Sequence, residues 1–308
     1  MKGFHLRDEQ ELEAVAKLAA ESSPDSNTVL ADDTNLNFTH VRLPVSQYLA
    51  EMWRYRKFTV ANARFRASAD NDDMFLGRFW TVLEPLLRIA MYGTIFGLLL
   101  NTSRGIDNFL GFLVLGLTFF SMMSRGLGNG AGLIQRSRAM MRTFKFPRAS
   151  LVVGESLRGF FSNLIPAGLA VLAALAFQFG EPLHWTIIFV VPLILFMNIF
   201  ALGLSFFTAR ITAFLPDAKK VVFFFNRAWF YVSGVFFSIE RYDSVPELQR
   251  VMMLNPAYEF LKSIRGATMY GTAPTWEAWA LMIGWSLGTL VLGFLFFWAA
   301  EEKYVHVK

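Results

Sequence analysis

The chain has 308 residues, of which 54% are hydrophobic and 17% are charged, and it contains 33 phenylalanines and no cysteine. Soluble proteins carry about 25% charged residues, so this composition indicates a membrane protein and argues against a soluble enzyme. The lack of cysteine excludes disulfides, thiolate metal sites and cysteine nucleophiles.

The net charge of +5 is distributed unevenly, because residues 1–78 hold 12 of the 24 acidic residues while the short loops between apolar runs are basic. This pattern is typical of a protein oriented in a membrane, and we expect no nucleic-acid partner. Residues 1–44 are predicted to be a polar cytosolic leader, since no apolar segment of a cleavable signal peptide is present.

Residues 45–67 alternate apolar and basic side chains and predict an amphipathic helix in the inner membrane interface. Trp53 would lie among the lipids, while Arg54, Arg56 and Lys57 would lie near anionic headgroups. A simple membrane anchor and a contact with a cytosolic partner both remain open as its role. A linker reaching residue 78 separates this helix from the first apolar run.

Six apolar stretches each have the roughly 20 residues that a membrane-spanning helix needs. They lie near 79–100, 109–135, 149–179, 183–209, 221–239 and 278–298, so residues 79–298 form the predicted transmembrane domain. The predicted fold is an all-α integral membrane protein with six transmembrane helices.

The orientation of these spans follows from the lysines and arginines of the short loops. Loop 136–148 contains five and loop 210–220 contains three, whereas 101–108 contains one. Both termini, including the tail 299–308, are therefore predicted to be cytosolic in a multi-pass protein of the plasma (inner) membrane.

The predicted outer segment 240–277 is too apolar for an ordinary loop. Pro246 can begin one helix, and Asn255-Pro256 ends it and begins a second. We expect a re-entrant helical pair in the outer leaflet, with a surface hairpin that has no gating role as the alternative.

Several sequence features bear on chemistry. The glycine-rich stretch 126–132 lacks the Lys-Ser/Thr of a nucleotide-binding loop, and the four histidines have no metal-ligand spacing. Glycine pairs at GxxxG spacing predict close helix packing instead. These pairs are Gly93/Gly97, Gly126/Gly130, Gly128/Gly132 and Gly284/Gly288.

Charged residues inside the spans are candidates for function because they are costly in a membrane. Glu84 and Arg88 are four residues apart and predict a structural ion pair. Arg125 lies near the cytosolic headgroups, and Arg227 lies among aromatic residues of the fifth span. Aromatic side chains can stack on sugar rings in a polymer channel, or they can simply face lipid.

Four motifs follow the basic amphipathic helix in a fixed order: LGRFWTVLEPLL at 76–87, FKFPRAS at 144–150, LPDAKKVVFFFNRAWFYVSGVFFS at 215–238 and LNPAYEFLKSIRG at 254–266. In this order they resemble the transmembrane subunit of polysaccharide ABC exporters. That family includes the permeases for O-antigen, capsule, teichoic acid and galactan. The resemblance covers roughly residues 45–305.

The resemblance implies a homodimer bound to two copies of a separate ABC ATPase, exporting a lipid-linked glycan made in the cytosol. ATP and Mg²⁺ would be bound by that partner, and no cofactor by this chain. The resemblance places the interface helix and loop 136–148 against the ATPase and makes 240–277 the outer gate. The coupling residues would be Arg138, Arg142, Lys145, Phe146, Pro147 and Arg148, and the gate residues Asn255 and Pro256.

Span position adds two further sets of candidates. Arg125 and Arg227 would capture the diphosphate of the lipid carrier. The aromatic channel lining would consist of Phe119, Phe120, Phe224, Trp229 and Tyr231.

The chain departs from the family's pattern at an additional stretch, residues 68–74, and in its leader of about forty residues, which is most similar to that of actinobacterial galactan exporters. Two other functions stay open. A type-2 ABC exporter of a drug or small lipid would share the six spans. A membrane glycosyl or acyl transferase would need clustered acids or histidines at one membrane face, and the acids outside the leader are isolated.

Overall fold

A computed structural model describes residues 43–69, 77–95, 106, 108–143, 146–178, 182–237 and 246–306. Residues Leu43–Lys308 form one compact unit, and residues 1–42 lie outside the described residues. The predicted leader therefore falls almost wholly outside them.

The described residues contain helices and no strands. Their α-helices are α1 Val45–Arg54, α2 Arg56–Ser68, α3 Trp80–Tyr92, α4 Phe109–Gly130, α5 Leu133–Arg136, α6 Arg138–Thr143, α7 Ala149–Ala176, α8 Val190–Phe214, α9 Ala218–Val232, α10 Pro246–Met253, α11 Pro256–Met269 and α12 Trp276–Trp298. The all-α prediction is confirmed over this part of the chain.

Among the described residues, four helices are long and apolar enough to cross a membrane: α4, α7, α12, and α8 together with the 3-10 turn before it, Trp185–Phe214. Helix α9 has 15 residues, which is short of a full span, and α3 has 13 before helical backbone continues through residues 93–95 to the edge of the described residues. The last part of the first predicted span, residues 96–100, lies outside the described residues. The fifth predicted span ends early, because the chain turns at Ser233 and at Gly234, whose φ is +65°.

The predicted interface helix consists of two helices, α1 and α2, which meet at Tyr55. Large apolar side chains of these helices are exposed, including Trp53, Phe58 and Phe65. Tyr48, by contrast, is buried in a second, smaller core with Phe206, Phe297 and Tyr304. One face of α1 is thus tied to the helix bundle, while another presents apolar surface.

Helix α4 lies at the centre of the main core, where most of its side chains are buried. Asn108 caps its first turn by accepting a hydrogen bond from the Gly111 amide at 2.9 Å. The helix ends where Gly132 adopts φ +72°. The segment that follows, 133–148, carries the basic residues that mark this end of the bundle, called the basic end below.

The two helices predicted for residues 240–277 are present at the predicted positions. Asn255 caps α11 by accepting a hydrogen bond from the Ala257 amide, with Pro256 as its first residue. Helix α11 is largely buried against α4 and α8, so it belongs to the main core.

Candidate functional site

A groove runs between α3, α4 and α7, with a cavity of about 190 Å³. Each helix contributes residues spaced by three or four positions, which places them on one helical face. Many of these residues are polar, which is unusual for a surface built from membrane helices. The polar members used below are Glu84, Arg88, Thr118, Ser121, Arg125 and Asn163.

Two of the charged residues of this groove pair with each other. Arg88 donates to the Glu84 carboxylate at 2.8 Å, so the predicted ion pair is confirmed. Its two side chains are 44% and 66% exposed. Exposed pairs of this kind contribute only about 0–1 kcal/mol in water. Arg125 lies in the same groove and is exposed. The three charged residues give the groove a net charge of +1.

Helix α9 presents an aromatic surface of its own. Phe224 is 74% exposed, and Tyr231 and Arg227 are exposed on the same helix. Trp229 is half-buried, and its indole N–H donates to Oδ1 of Asn255 at 2.9 Å. The predicted lining residue Trp229 and the predicted gate residue Asn255 are therefore in direct contact.

Two predicted lining residues lie elsewhere. Phe119 is 0% exposed, and Phe120 packs edge-on against Trp229 and Phe230 with ring centroids 5.2 Å apart. Both side chains point into the main core, so neither lines a surface in this structure. They are enclosed because α4 is surrounded by other helices and exposes only a narrow strip, and their role in a channel lining stays a prediction.

The exposed strip of α4 is polar rather than aromatic. Thr118, Ser121 and Arg125 are spaced by three and four residues, and they are the residues of this stretch that are not buried. Sequence reasoning found Arg125 but missed the hydroxyls. Their spacing, in a helix otherwise rich in phenylalanine, was the signal that could have identified them.

At the basic end, Arg148 is tied to the C-terminal segment. Its backbone N–H donates to Oε1 of Glu301 at 3.0 Å, and its guanidinium donates to the Glu301 carbonyl at 2.6 Å. The Tyr48 hydroxyl donates to the other carboxylate oxygen at 2.8 Å and accepts from the Ala149 amide at 2.9 Å. We call Tyr48, Arg148 and Glu301 the clasp, since they join α1, the start of α7 and the tail.

The described residues include the side chains of three other predicted coupling residues. Pro147 is buried, and Phe146 and Arg138 are half-buried. The Arg142 side chain and Lys145 fall outside the described residues. Phe146 also lines an apolar cavity of about 540 Å³ between α2 and α7, with Phe58 and Met140.

A carboxylate joins helices beside this cavity as well. Glu155 accepts from Arg158 at 2.6 Å and lies 3.3 Å from Arg66 of α2. The amphipathic helix is therefore fastened to α7 by an ion pair and to the tail by the clasp.

Burial changes the acid–base properties of the clasp. Burial raises the pKa of Glu301 more than the Arg148 hydrogen bonds lower it. Burial, together with the nearby Glu301 carboxylate, also raises the pKa of Tyr48, and burial raises that of Tyr304. Both hydroxyls therefore stay protonated throughout the neutral range.

The raised pKa of Glu301 makes the stability of the folded protein depend on pH. The folded protein binds the Glu301 proton more tightly than the unfolded chain does. Protonation of Glu301 therefore stabilises the folded state fully at a pH below the pKa of this group in the unfolded chain. That stabilisation is lost as the pH rises through the pKa of the group in the folded protein. A Glu301→Gln variant lacks this titration. We expect the melting temperature of the variant, relative to the unsubstituted protein, to increase from acidic pH towards neutral pH.

Glu302→Gln provides the control, since Glu302 is exposed and adjacent in sequence. Melting curves of the detergent-purified chains across this pH range would show no comparable trend for the control. A melting temperature of the Glu301→Gln protein that falls relative to the unsubstituted protein as pH rises would contradict the expectation.

Sequence reasoning also missed Arg265 of α11. This side chain is 3% exposed, lies 3.4 Å from the centroid of the Phe112 ring and donates three hydrogen bonds to backbone carbonyls. Its acceptors are the carbonyls of Phe112 at 3.1 Å, Gly234 at 2.9 Å and Val235 at 3.0 Å. Arg265 therefore joins α11 to the start of α4 and to the turn after α9.

The family follows from the sequence of this bundle. Residues 69–269, from just after the interface helices to the end of α11, match the family described as ABC-2 type transporter. The chain belongs to the ABC-2 type transporter family. Members of this family are membrane-bound transport subunits that work with an ABC ATPase.

Two relatives resemble this ABC-2 transporter over most of their length. The O-antigen export system permease protein RfbA of Myxococcus xanthus is 24% identical over 216 residues, covering 69% of this chain and 80% of the relative. The protein of the same name from Klebsiella pneumoniae is 24% identical over 199 residues, covering 64% and 74%. The similarity thus extends well beyond a single motif.

Proposed function

We propose that the chain is the permease subunit of an ATP-driven exporter that moves a lipid-linked polysaccharide from the cytosol across the plasma membrane. The observation that carries this proposal is the similarity to two O-antigen export permeases over about two thirds of the chain. Membership of the ABC-2 type transporter family supports the transport role, and the relatives' names support the substrate class.

The proposed topology has six spans with both termini in the cytosol. Helices α3 and α9 would supply the first and fifth spans, and their exposed apolar side chains, such as Leu87 and Phe224, support a place in the membrane. The basic end would then face the cytosol. Helices α10 and α11 would form the re-entrant outer pair.

The proposed assembly is a homodimer with two ABC ATPase subunits that bind ATP and Mg²⁺. The segment 136–148 and the interface helices would contact the ATPase, and the apolar cavity beside Phe58 and Phe146 supports this face as the docking surface. The clasp would transmit movement from this face to α7 and the tail, because Arg148 and Ala149 begin that helix.

The proposed path of the glycan follows α9. The exposed rings of Phe224 and Tyr231 would stack on sugars, and Arg125 and Arg227 would attract the diphosphate of the carrier. The contact between Trp229 and Asn255 supports a link between this path and the outer gate at Asn255-Pro256. Phe119 and Phe120 would join the path only after α4 moves.

Depletion of the chain in its own cells tests the proposal. We expect lipid-linked polysaccharide to accumulate in the cytosol while the amount at the cell surface falls several-fold, because synthesis continues without export. Fractionation followed by glycan analysis measures both pools, and re-expression of the unsubstituted chain should restore export.

The same cells separate the proposal from export of a drug or small lipid. Unchanged polysaccharide pools, together with faster accumulation of a fluorescent hydrophobic drug, would contradict polysaccharide export. Expression of the chain with a partner ATPase that cannot hydrolyse ATP should reproduce the depletion, because transport would lack its energy source.

A further inference from the structure

We propose that the apolar cavity of about 540 Å³ between α2 and α7 holds one acyl chain of an anionic phospholipid from the inner leaflet of the membrane. The lipid would be a resident ligand that packs between the interface helices and the bundle. The inference goes beyond the proposed function, because it concerns a lipid that the protein holds and not the cargo that it exports.

The size and the walls of the cavity suit a hydrocarbon chain. Pockets for small ligands typically measure about 300–1,000 Å³ and have mainly apolar walls. Here most of the wall is apolar and comes from three helices: α2 contributes Phe58, α6 contributes Met140 and α7 contributes Leu151. The two charged residues of the wall, Arg66 and Glu155, lie 3.3 Å apart and form an ion pair with each other. An acyl chain therefore fits a wall of this composition better than a charged ligand does.

The faces of α2 place the cavity beside the membrane. Its lining residues recur every three or four positions from Phe58 to Arg66, so one face of this helix covers the cavity. Phe58 lies at the edge of that face, and Phe65 follows seven residues later on the same side. Their side chains are 60% and 73% exposed. An interfacial helix sinks such side chains into the boundary between headgroups and acyl chains, so a chain can enter beside Phe58 without passing through water.

The charges of the interface helices indicate the headgroup. Lys57 and Arg64 are seven residues apart on the opposite face of α2, and both are exposed. Helices α1 and α2 together carry five basic residues and one acidic residue, Glu51. Basic clusters of this kind attract anionic lipids at the inner surface of a membrane. Charge complementarity therefore favours an anionic phospholipid over a zwitterionic one.

A bound chain would strengthen the contact between α2 and α7. The ion pair of Arg66 with Glu155 joins these helices on one side of the cavity, and apolar side chains such as Phe58 and Leu151 surround the rest of it. A hydrocarbon chain would contact both helices at once. It would thereby complete the apolar part of the face that is proposed to contact the ATPase.

Filling the cavity tests the inference. Gly154 lines it from α7, and a Cβ built there would lie 3.5 Å from Cγ2 of Thr59, an ordinary van der Waals contact. Gly154→Leu therefore adds a side chain to the cavity while its first atom still fits. Gly168→Leu is the matched control, since Gly168 belongs to the same helix and no atom of the described residues lies within 4 Å of a Cβ there. Met140→Trp fills the cavity from α6, which makes the test independent of Gly154.

The probe is phosphatidylglycerol with a photoreactive diazirine on one acyl chain, titrated into the detergent-purified full chain. Peptide mapping by mass spectrometry should show saturable labelling of α2 and of the start of α7. This labelling should fall several-fold in Gly154→Leu and in Met140→Trp and should be unchanged in Gly168→Leu. Melting temperatures without added lipid confirm that each variant is folded.

The same lipid without the diazirine gives a second measurement. A ligand stabilises the folded state that binds it, so phosphatidylglycerol should raise the melting temperature of the unsubstituted chain and of Gly168→Leu. The increase should be clearly smaller for Gly154→Leu and Met140→Trp. Equal increases for all four proteins would contradict a site in this cavity.

Competition identifies the occupant. Phosphatidylcholine with the same acyl chains should displace the label several-fold less well than phosphatidylglycerol, and equal displacement would overturn the preference for an anionic headgroup. A saturating amount of the partner ATPase should leave the labelling unchanged. Labelling that disappears when the ATPase binds would overturn the inference and assign the cavity to a side chain of that partner.

Two further results would overturn the inference: labelling of α2 and α7 that does not saturate, or labelling of Gly154→Leu that equals that of Gly168→Leu. Neither result bears on the cellular export measurements, so failure of the lipid site and failure of the proposed function are distinguishable.

Discussion

Replacing Arg265 by leucine is expected to lower the free energy of unfolding by about 3 kcal/mol or more, because hydrogen bonds from a charged donor contribute about 1.5–3 kcal/mol each. The variant loses all three donors to the buried carbonyls of Phe112, Gly234 and Val235. It also loses the cation–π contact with the Phe112 ring. Thermal and SDS-induced unfolding of the detergent-purified chain measure the effect.

Lys262→Leu is the matched control for this substitution. Lys262 lies one turn earlier on α11 and is exposed, so its loss should change stability by less than about 0.5 kcal/mol. Arg265→Lys should fall close to the leucine variant, since one ammonium group does not reach three carbonyls in the geometry of the guanidinium fork. Equal stability of Arg265→Leu and Lys262→Leu would show that the buried guanidinium contributes nothing net.

The position of Arg265 also connects it to the proposed transport path. The side chain joins three separate parts of the chain, namely α11, the start of α4 and the turn at Gly234 that ends α9. Gly116 leaves the space that the guanidinium occupies, since a Cβ there would overlap it. Loss of Arg265 therefore removes the contacts that hold both the end of α9 and the helix α11 of the proposed outer gate.

Local signals explain what the sequence predicted correctly. Asn255-Pro256 fixes a helix start within two residues, because a capping side chain and a residue without an N–H both favour that position. The ion pair of Glu84 with Arg88 follows from helical spacing in the same way.

Contacts between distant parts of the chain could not be predicted in this way. Tyr48 and Glu301 are 253 residues apart, and no spacing rule pairs them. The exposure of an aromatic residue likewise depends on its neighbours: Phe119 and Phe224 both lie in phenylalanine-rich helices, but one is fully buried and the other is 74% exposed. Periodicity predicts which residues share a face, and packing decides what that face meets.

The glycine pairs also show that spacing in the sequence does not decide what a helical face contacts. Gly126 and Gly130 lie where α4 crosses α8 so closely that a Cβ at either position would overlap backbone atoms of Ala201 or Ser205. Gly284 and Gly288 have the same spacing, but no atom lies within 4 Å of a Cβ built there. Gly203 and Gly293, which have no such spacing between them, make another close approach between α8 and α12.

Alanine substitutions should therefore lower the stability of the chain at the first pair, Gly126 and Gly130, and raise it at the second, Gly284 and Gly288. Gly126→Ala or Gly130→Ala should destabilise the chain by about 1–3 kcal/mol through overpacking, even after the better helix propensity of alanine is included. Gly284→Ala should stabilise it by up to about 1 kcal/mol, because only the propensity changes. SDS-induced unfolding of the three purified variants compares them directly.

The hydroxyl contacts at the same crossing give an independent check on this prediction. Ser205 donates to the Gly126 carbonyl at 2.8 Å, so a Gly126→Ala variant that pushes α8 away should also lose this bond. Ser205→Ala combined with Gly126→Ala should then cost less than the sum of the two single losses, since the second substitution removes a contact that is already broken. Strictly additive losses, or a Gly126→Ala protein as stable as Gly284→Ala, would mean that α4 and α8 are not in close contact in the membrane protein.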